Sequence, residues 1–290
     1  MKMTKGERIF SVFNYIILSI ILLLTLYPCL YVAFMSISDP SEMVGQSGLM
    51  WRPVGINFQN YMSVFENKNI WIGYRNTIMY AVVGTSLSVV LTIVAAFCLS
   101  RKNVPGTGFM LLAITISMYF SGGMIPNYIL VRNLGLLDTF WAMILPGAIS
   151  TYNFIITLTY FKNLPESLSE AAEIDGANEY TILFKILVPL AKPIIAVIAL
   201  YYLVSMWNNY MGGLLYINTP EKYPLQLVIR EILFQNAMRD EVASQVDTAD
   251  LMAENIKYAT MVVTTIPVLC IYPFLQRFFV KGIMIGAVKG

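Results

Sequence analysis

Apolar side chains in this sequence run in long blocks. Six windows, 10–38, 76–100, 103–131, 139–161, 193–220 and 258–276, contain no Asp, Glu, Lys, Arg or His. A helix needs roughly 20 mostly apolar residues to cross a hydrocarbon layer of about 30 Å, and each window is close to that length or longer. Lipid offers no partner for an unpaired backbone N–H or C=O, so such windows form helices. The pattern predicts an all-α integral membrane protein: a single transmembrane domain over 1–290 with six transmembrane helices. Their spans are about 10–36, 76–100, 105–131, 139–161, 191–216 and 258–279. External loops fill 37–75 and 217–257, and a cytoplasmic loop fills 162–190.

Composition narrows the class. At 57% hydrophobic and 12% charged, against about 25% charged in a typical globular chain, a soluble core is excluded. There is no histidine, and Cys29, Cys98 and Cys270 lie inside apolar windows without paired spacing. Neither a disulfide framework nor a metal site follows from them. The net charge of +2 is too small to argue for nucleic acid. The first apolar run, behind Lys2, Lys5 and Arg8, is too long for a signal-peptide core and lacks a small-x-small cleavage site, so it reads as the first span.

Basic residues near span ends set orientation. With the N-terminus in the cytoplasm, Lys2, Lys5, Arg8, Arg101, Lys102, Lys162, Lys185, Lys192, Arg277, Lys281 and Lys289 fall inside in short segments. Arg52, Lys68, Arg75, Arg132, Lys222, Arg230, Arg239 and Lys257 fall outside, mostly in the two longer loops. Both termini are therefore expected to be cytoplasmic. In the second external loop, Leu225, Leu227, Val228, Ile232, Leu233 and Phe234 alternate with Arg230, Glu231 and Gln235. This fits a short amphipathic helix that either packs on the bundle as a lid or contacts a partner.

The spans lack the buried charges that proton- and ion-coupled transporters use. Six spans also fall short of a two-halved carrier, so energy and a second permease should come from other subunits. The polar groups at depth are neutral and lie among aromatics. Trp207, Asn208, Asn209 and Tyr210 interrupt the fifth span, Tyr119, Ser121 and Tyr128 mark the third, and Asn153 marks the fourth. Amides and hydroxyls would bind an uncharged polar solute and aromatic faces suit sugar rings, so these residues are candidates for a translocation path. Helix–helix hydrogen bonding is the competing reading. Ser121, Gly122, Gly123 and Pro126 should loosen the third helix into a kink.

The 162–190 loop carries the densest charge pattern. Pro165 fits a first helical turn with Asn163 as cap, and Glu166, Glu170 and Glu173 then share one face. Ala171, Ala172, Gly176 and Ala177 are small enough for close approach by a partner, and Asp175-Gly176 ends the helix. A second helix over 180–187 follows, with Pro189 at the entry to the fifth span. A carboxylate pair for glycoside hydrolysis would need a substrate cleft that a short connector does not offer. From spacing alone, an ordinary solvated face is the leading alternative.

The loop resembles that of permease subunits of binding-protein-dependent ABC importers. Their pattern runs Glu-Ala-Ala, three residues, Gly, nine residues, Ile, one residue, Leu-Pro. Here it stands as Glu170-Ala171-Ala172, Gly176, Ile186 and Pro189, with Val188 in place of Leu. NFQNYMSVF with RNT before the second span, AAFCLSRK after it, GGMIPNYILVRNLGLLDT in the middle and QRFFVKGIMIGAVKG at the end are similar to the carbohydrate-type, maltose-system-like branch. The closing segment looks like that of permeases for oligosaccharides from complex polysaccharides.

The resemblance implies a type I ABC importer permease fold with a cytoplasmic coupling helix, in a bacterial cytoplasmic membrane and in contact with its lipid. Glu166, Glu170, Ala171, Ala172, Glu173, Asp175, Gly176, Ile186 and Pro189 would form the ATPase-coupling loop. The partners implied are a second permease subunit as heterodimer, two ATP-binding subunits that carry ATP-Mg, and an extracellular sugar-binding protein. This chain would be non-catalytic and hold no cofactor, and it has no GxxxxGK[ST] run. In relatives, an external loop before the last span can enter the binding protein, and 216–255 is its positional equivalent here. The alternatives are an ion-coupled secondary carrier, or a membrane scaffold subunit without its own pore.

Overall fold

The computed structural model describes residues 4–43, 49–101, 104–242, 255–267, 269, 270 and 273. Every regular element among them is helical. The chain forms two compact units: Met1–Ile70 with Ile229–Ile266, and Trp71–Val228 with Pro267–Gly290.

The first unit is built on α1 (Lys5–Ile37), which a reciprocal capping box opens: Glu7 N donates to Thr4 Oγ1 (3.3 Å) and Thr4 N to Glu7 Oε2 (2.7 Å). Most of its apolar length is exposed and only its last turn is buried, at Met35 and Ser36. There the short α2 (Pro40–Met43) and α3 (Gln59–Glu66) gather around it. Ser36 Oγ lies 2.7 Å from Tyr61 Oη, and Asn255 Nδ2 donates to Ser38 O at 3.1 Å. Residues 255–267, the start of the sixth expected span, are helical, and Tyr31 meets Tyr258 edge-on at 5.8 Å. The rest of that span, and the closing QRFFVKGIMIGAVKG segment, lie outside the described residues apart from single helical positions at 269, 270 and 273.

Two helices among the described residues are long and apolar enough to cross a membrane unaided, α1 and α4 (Lys68–Ser100). Three further candidates are bent pairs, which raise the number of spans to at most five in these residues. Six is therefore not what the described helices by themselves display, and continuity is where sequence and structure differ. The third window splits into α5 (Thr107–Tyr119) and α6 (Met124–Asn133), bent by 117°. At 1.5 Å per residue these pieces are about 20 and 15 Å long, and neither crosses a hydrocarbon layer of about 30 Å alone. The break falls at the expected weak point. Gly123 takes φ 88°, Ser121 Oγ accepts its N–H at 3.2 Å, and Pro126 sits in the first turn of α6, where its missing N–H costs no bond.

The fourth window begins as two 3₁₀ turns, Phe140–Met143 and Leu145–Gly147, and bends 53° into α7 (Thr151–Lys162). The fifth is α11 (Lys192–Trp207), broken at Asn208 and Asn209 before α12 (Tyr210–Tyr216). Asn209 caps α12, its Oδ1 accepting Gly212 N at 2.9 Å.

The loop between α7 and α11 is mostly helical, with turns at 163–166 and 175–178. It comprises α8 (Ser167–Ile174), α9 (Glu179–Thr181), a π turn at Ile182–Leu187 and α10 (Val188–Leu190), then an 84° bend into α11. Its packing forms the main core of the second unit. Ile93, Ala96 and Phe97 of α4, Phe154, Leu158 and Phe161 of α7, Ala172 of α8, Ile182, Leu183 and Leu187 of the π turn, and Ile198 and Tyr202 of α11 cluster together. After α12 come a 3₁₀ turn at Pro220–Lys222 and α13 (Leu225–Val242), whose Leu225, Leu227 and Val228 are buried. Gly73 makes room for that turn, since a Cβ there would stand 3.0 Å from Leu225 Cα. The start of the amphipathic segment thus packs against α4.

Candidate functional site

Two sites emerge from the second unit, and the first is centred on Tyr202. Its hydroxyl lies 2.7 Å from Thr92 Oγ1 and accepts Ser150 N at 2.9 Å, which ties α4, the start of α7 and α11 together. Ser150 is half-buried at the break that opens the fourth span, and it caps α7 through Asn153 N (3.4 Å). Beside this junction lies a pocket of about 540 Å³ lined by Ser150, Tyr152, Asn153, Tyr201, Tyr202, Ser205 and Asn209, with Met143, Met206, Met211 and Tyr216 among its apolar walls. Tyr152 and Tyr201 stand 6.1 Å apart. Its hydroxyls, amides and aromatic faces make a surface without ionised groups, suited to a polar ring.

Of the residues read as a translocation path, the structure brings Asn153 and Asn209 together in that pocket. Asn208 and Tyr210 are exposed, and Asn208 Nδ2 returns to Val204 O at 3.0 Å. Trp207 is buried, edge-on to Tyr74 at 6.4 Å, and its Nε1 has no partner among the described residues. Tyr119 and Ser121 are exposed beside the α5–α6 break, and Tyr128 packs beside Val131, Ala142 and Tyr216. Tyr201, Tyr202 and Ser205 were missed from sequence because they sit inside the regular part of α11, with no local interruption to mark them.

The second site surrounds α8. Its start differs from expectation: Asn163 is the C-cap of α7, and Glu166 occupies the N-cap of α8 without a side-chain cap bond. The reason is the kink at Pro165, which ends one helix and begins the next within three residues. The end of α8 is as expected. Ala177 N bonds Ala172 O (2.9 Å), Gly176 N bonds Glu173 O (3.0 Å), and Gly176 takes φ 81°, which is a Schellman motif. Ala172 turns into the core of its own unit, so its small size serves internal packing, while Ala171 and Gly176 stay exposed. Ile174 is 86% exposed at the same end, an apolar side chain offered outward.

Glu166, Glu170, Glu173 and Glu179 border a pocket of about 780 Å³ with Phe97, Cys98, Arg101, Tyr180 and Phe184. Ile186 is half-buried against the core, and Pro189 is exposed in the first turn of α10. Asp175 is the C-cap of α8.

A third arrangement was not foreseen. Asp138, a non-glycine residue at φ 56°, accepts Asn218 N and Thr219 N on Oδ1 (both 3.0 Å) and Thr219 Oγ1 (2.5 Å) and Lys222 Nζ (2.8 Å) on Oδ2. Asn76 Nδ2 and Tyr80 Oη hold the same segment through Glu221 O (2.7 Å), Tyr223 O (3.1 Å) and Lys222 O (2.9 Å). The Lys222 ammonium first, and Thr219 next, hold the Asp138 carboxyl well below the usual carboxylate range.

An all-α membrane protein with interrupted spans, a polar pocket at the interruptions and a stiff helical loop between two spans is a transport permease. No group of His, Cys, Asp or Glu able to hold a metal occurs among its described residues. The chain belongs to the family described as binding-protein-dependent transport system inner membrane component, whose profile matches residues 88–285. It is therefore the membrane permease subunit of an ABC-type importer, working with ATPase subunits. It is 39% identical to Protein LplC of Bacillus subtilis over 99% of this chain and 97% of that protein. It is 37% identical to the polygalacturonan/rhamnogalacturonan transport system permease protein YtcP of Bacillus subtilis, over 98% and 99% of the two chains. Among solved structures it matches a chain of a bacterial ABC transporter involved in the import of the acidic polysaccharide alginate, with TM-score 0.86, 33% identity, and coverage of 96% and 99%.

The Asp138 clamp has a signed pH dependence. A carboxyl whose pKa is lowered in the folded state contributes its full stabilisation above the unfolded Asp value near 3.9 and loses it only as pH falls through the lower folded value. Between pH 5 and 8 the clamp stays closed. Asp138→Asn should accelerate amide hydrogen exchange at Asn218 and Thr219 by about tenfold or more, since charged hydrogen bonds contribute about 1.5–3 kcal/mol. Exchange at the wild-type rate would mean that the other contacts alone hold the segment.

Proposed function

We propose that this chain forms half of the translocation pore of an importer for oligosaccharides released from complex, uronic-acid-containing polysaccharides. The observation that carries the substrate class is near-full-length similarity to two proteins whose names concern polygalacturonan/rhamnogalacturonan and alginate. The pocket at Asn153 and Asn209 is the segment of the path this subunit supplies, with Tyr152 and Tyr201 stacking against sugar rings. The placement within a maltose-system-like branch rests on the five quoted sequence segments. The other members of the complex are a second permease as heterodimer, two ATP-binding subunits and an external sugar-binding protein. With that complex in proteoliposomes, ATPase activity should rise with binding protein loaded with oligogalacturonate or oligoalginate and not with maltodextrin, and Asn153→Ala should lower uptake without changing subunit assembly. Stimulation by maltodextrin alone would reassign the substrate.

Six spans with both termini in the cytoplasm complete the reading, supported by the charge-free windows and the distribution of Lys and Arg. Single cysteines at Ser41 and Glu166 should then react with impermeant thiol reagents from opposite faces. Reaction from one face refutes this topology.

The 162–190 loop docks the ATPase subunit through α8. The exposed carboxylates of Glu166, Glu170 and Glu173, the outward Ile174 and the bare turn at Gly176 support this role. Gly176→Trp places a bulky side chain on that surface and imposes a left-handed backbone conformation that costs an L-residue about 1–2 kcal/mol. We expect loss of ATPase association or of uptake, with the membrane bundle still inserted. Wild-type uptake in that variant would make the loop a solvated connector.

A further inference from the structure

We propose that Arg101 is a positioning residue that fastens α8 to the end of α4, so that displacement of α8 moves α4 as a rod. Its stem is fixed first. The guanidinium carbon lies 4.8 Å from the ring centroid of Phe97, which is itself buried in the core of the second unit. From there Nη2 reaches Glu179 at 2.8 Å and Glu173 at 3.8 Å. These carboxylates stand on opposite sides of the Gly176 turn, one on α8 and one on α9, so a single planar cation closes the turn onto the end of α4. Arg101 Nε is buried and has no partner among the described residues. The guanidinium is therefore held in place by the ring and the two carboxylates.

Stability does not account for this arrangement. Glu173 and Glu179 are more than half exposed, and exposed ion pairs add little to folding. Geometry is what the contact supplies. Arg's rigid fork and its capacity to stack fix a direction, which a lysine point charge would not. The longer distance to Glu173 leaves α8 the looser of the two arms.

The rest of α4 is fastened too. Thr92 meets Tyr202 in its middle. About 32 to 38 Å from Arg101 at 1.5 Å per residue, Tyr80 and Asn76 hold the carbonyls of residues 221–223, and Thr77 Oγ1 accepts Leu225 N at 2.8 Å. One unbroken helix thus joins the docking loop, the polar pocket and the segment that follows the fifth span, whereas the third, fourth and fifth windows are interrupted. An interrupted helix absorbs a push at its break, and α4 transmits it.

The inference rests on the reading of 162–190 as the ATPase-docking loop. It is tested in the complete complex in proteoliposomes by measuring solute transported per ATP hydrolysed, together with basal hydrolysis. Arg101→Ala should co-purify with the ATPase subunits and retain basal hydrolysis while transport per ATP falls about tenfold, within the usual range of coupling between sites. Arg101→Lys, which keeps the charge but not the planar fork, should recover part of the loss. Glu179→Gln, which leaves the Phe97 contact in place, should reproduce the fall. Normal transport per ATP in Arg101→Ala or Glu179→Gln overturns the proposal, and so does loss of assembly in both variants. A failure of the docking reading appears instead as normal uptake by Gly176→Trp, in which Arg101 itself is unchanged.

Discussion

Backbone N–H and C=O groups at membrane depth have no water to bond, and this constraint governs where the chain is allowed to stop being helical. Each interruption carries its own substitute partners. Ser121 Oγ serves Gly123, Asn209 Oδ1 serves Gly212, and Ser150, freed where the fourth span begins, gives its N–H to Tyr202. Polar side chains that repair a broken helix also leave hydroxyls and amides beside the gap. The pocket at Asn153, Tyr202, Ser205 and Asn209 follows from that repair. A polar pocket is thus a by-product of satisfying the backbone in an otherwise apolar bundle.

The same economy places the core. The second unit concentrates its packing at the loop end of the bundle, where Phe97, Phe161, Ala172, Ile182 and Leu187 meet. Lipid tails are as apolar as the side chains they would replace, so burial against lipid gives helices little reason to associate. Polar ties from Tyr202 to Thr92 and Ser150 therefore join α4, α7 and α11 within that core. A loop that packs there becomes a firm handle on several spans, and a Schellman turn at Gly176 with Arg101 across it keeps that handle in one shape. The Asp138 clamp does comparable work for the segment after α12.

The two ends of the second unit differ in how far local pattern exposes them. The stop of α8 was legible because a left-handed turn requires glycine, and Asp175-Gly176 stands where the apolar pattern lapses. Its start was not, because Asn163 fits a cap equally well for the helix before or after Pro165, and packing of α7 decided the matter. The kink near Ser121–Pro126 was legible as a weak point, though its angle of 117° was not. Trp207 lies in the densest polar-aromatic cluster in the sequence but turns toward Tyr74, while its neighbour Asn209 lines the pocket.

What the sequence by itself determined is everything set by solvent and by local backbone geometry. Charge-free windows of sufficient length are helix-forming in lipid, the charged 162–190 segment separates two of them, and Gly176 ends its helix. The spaced Glu-Ala-Ala and glycine motif places the chain among importer permeases. Tertiary structure alone decided which windows run straight and which break, because a break is tolerated only where a distant side chain replaces the lost bonds. The partner of Ser150 is 52 positions away, and the carboxylate nearest Arg101 is 78 positions away. Neither separation carries a periodic signal, since these pairs are chosen by how the helices pack and not by how any one of them folds.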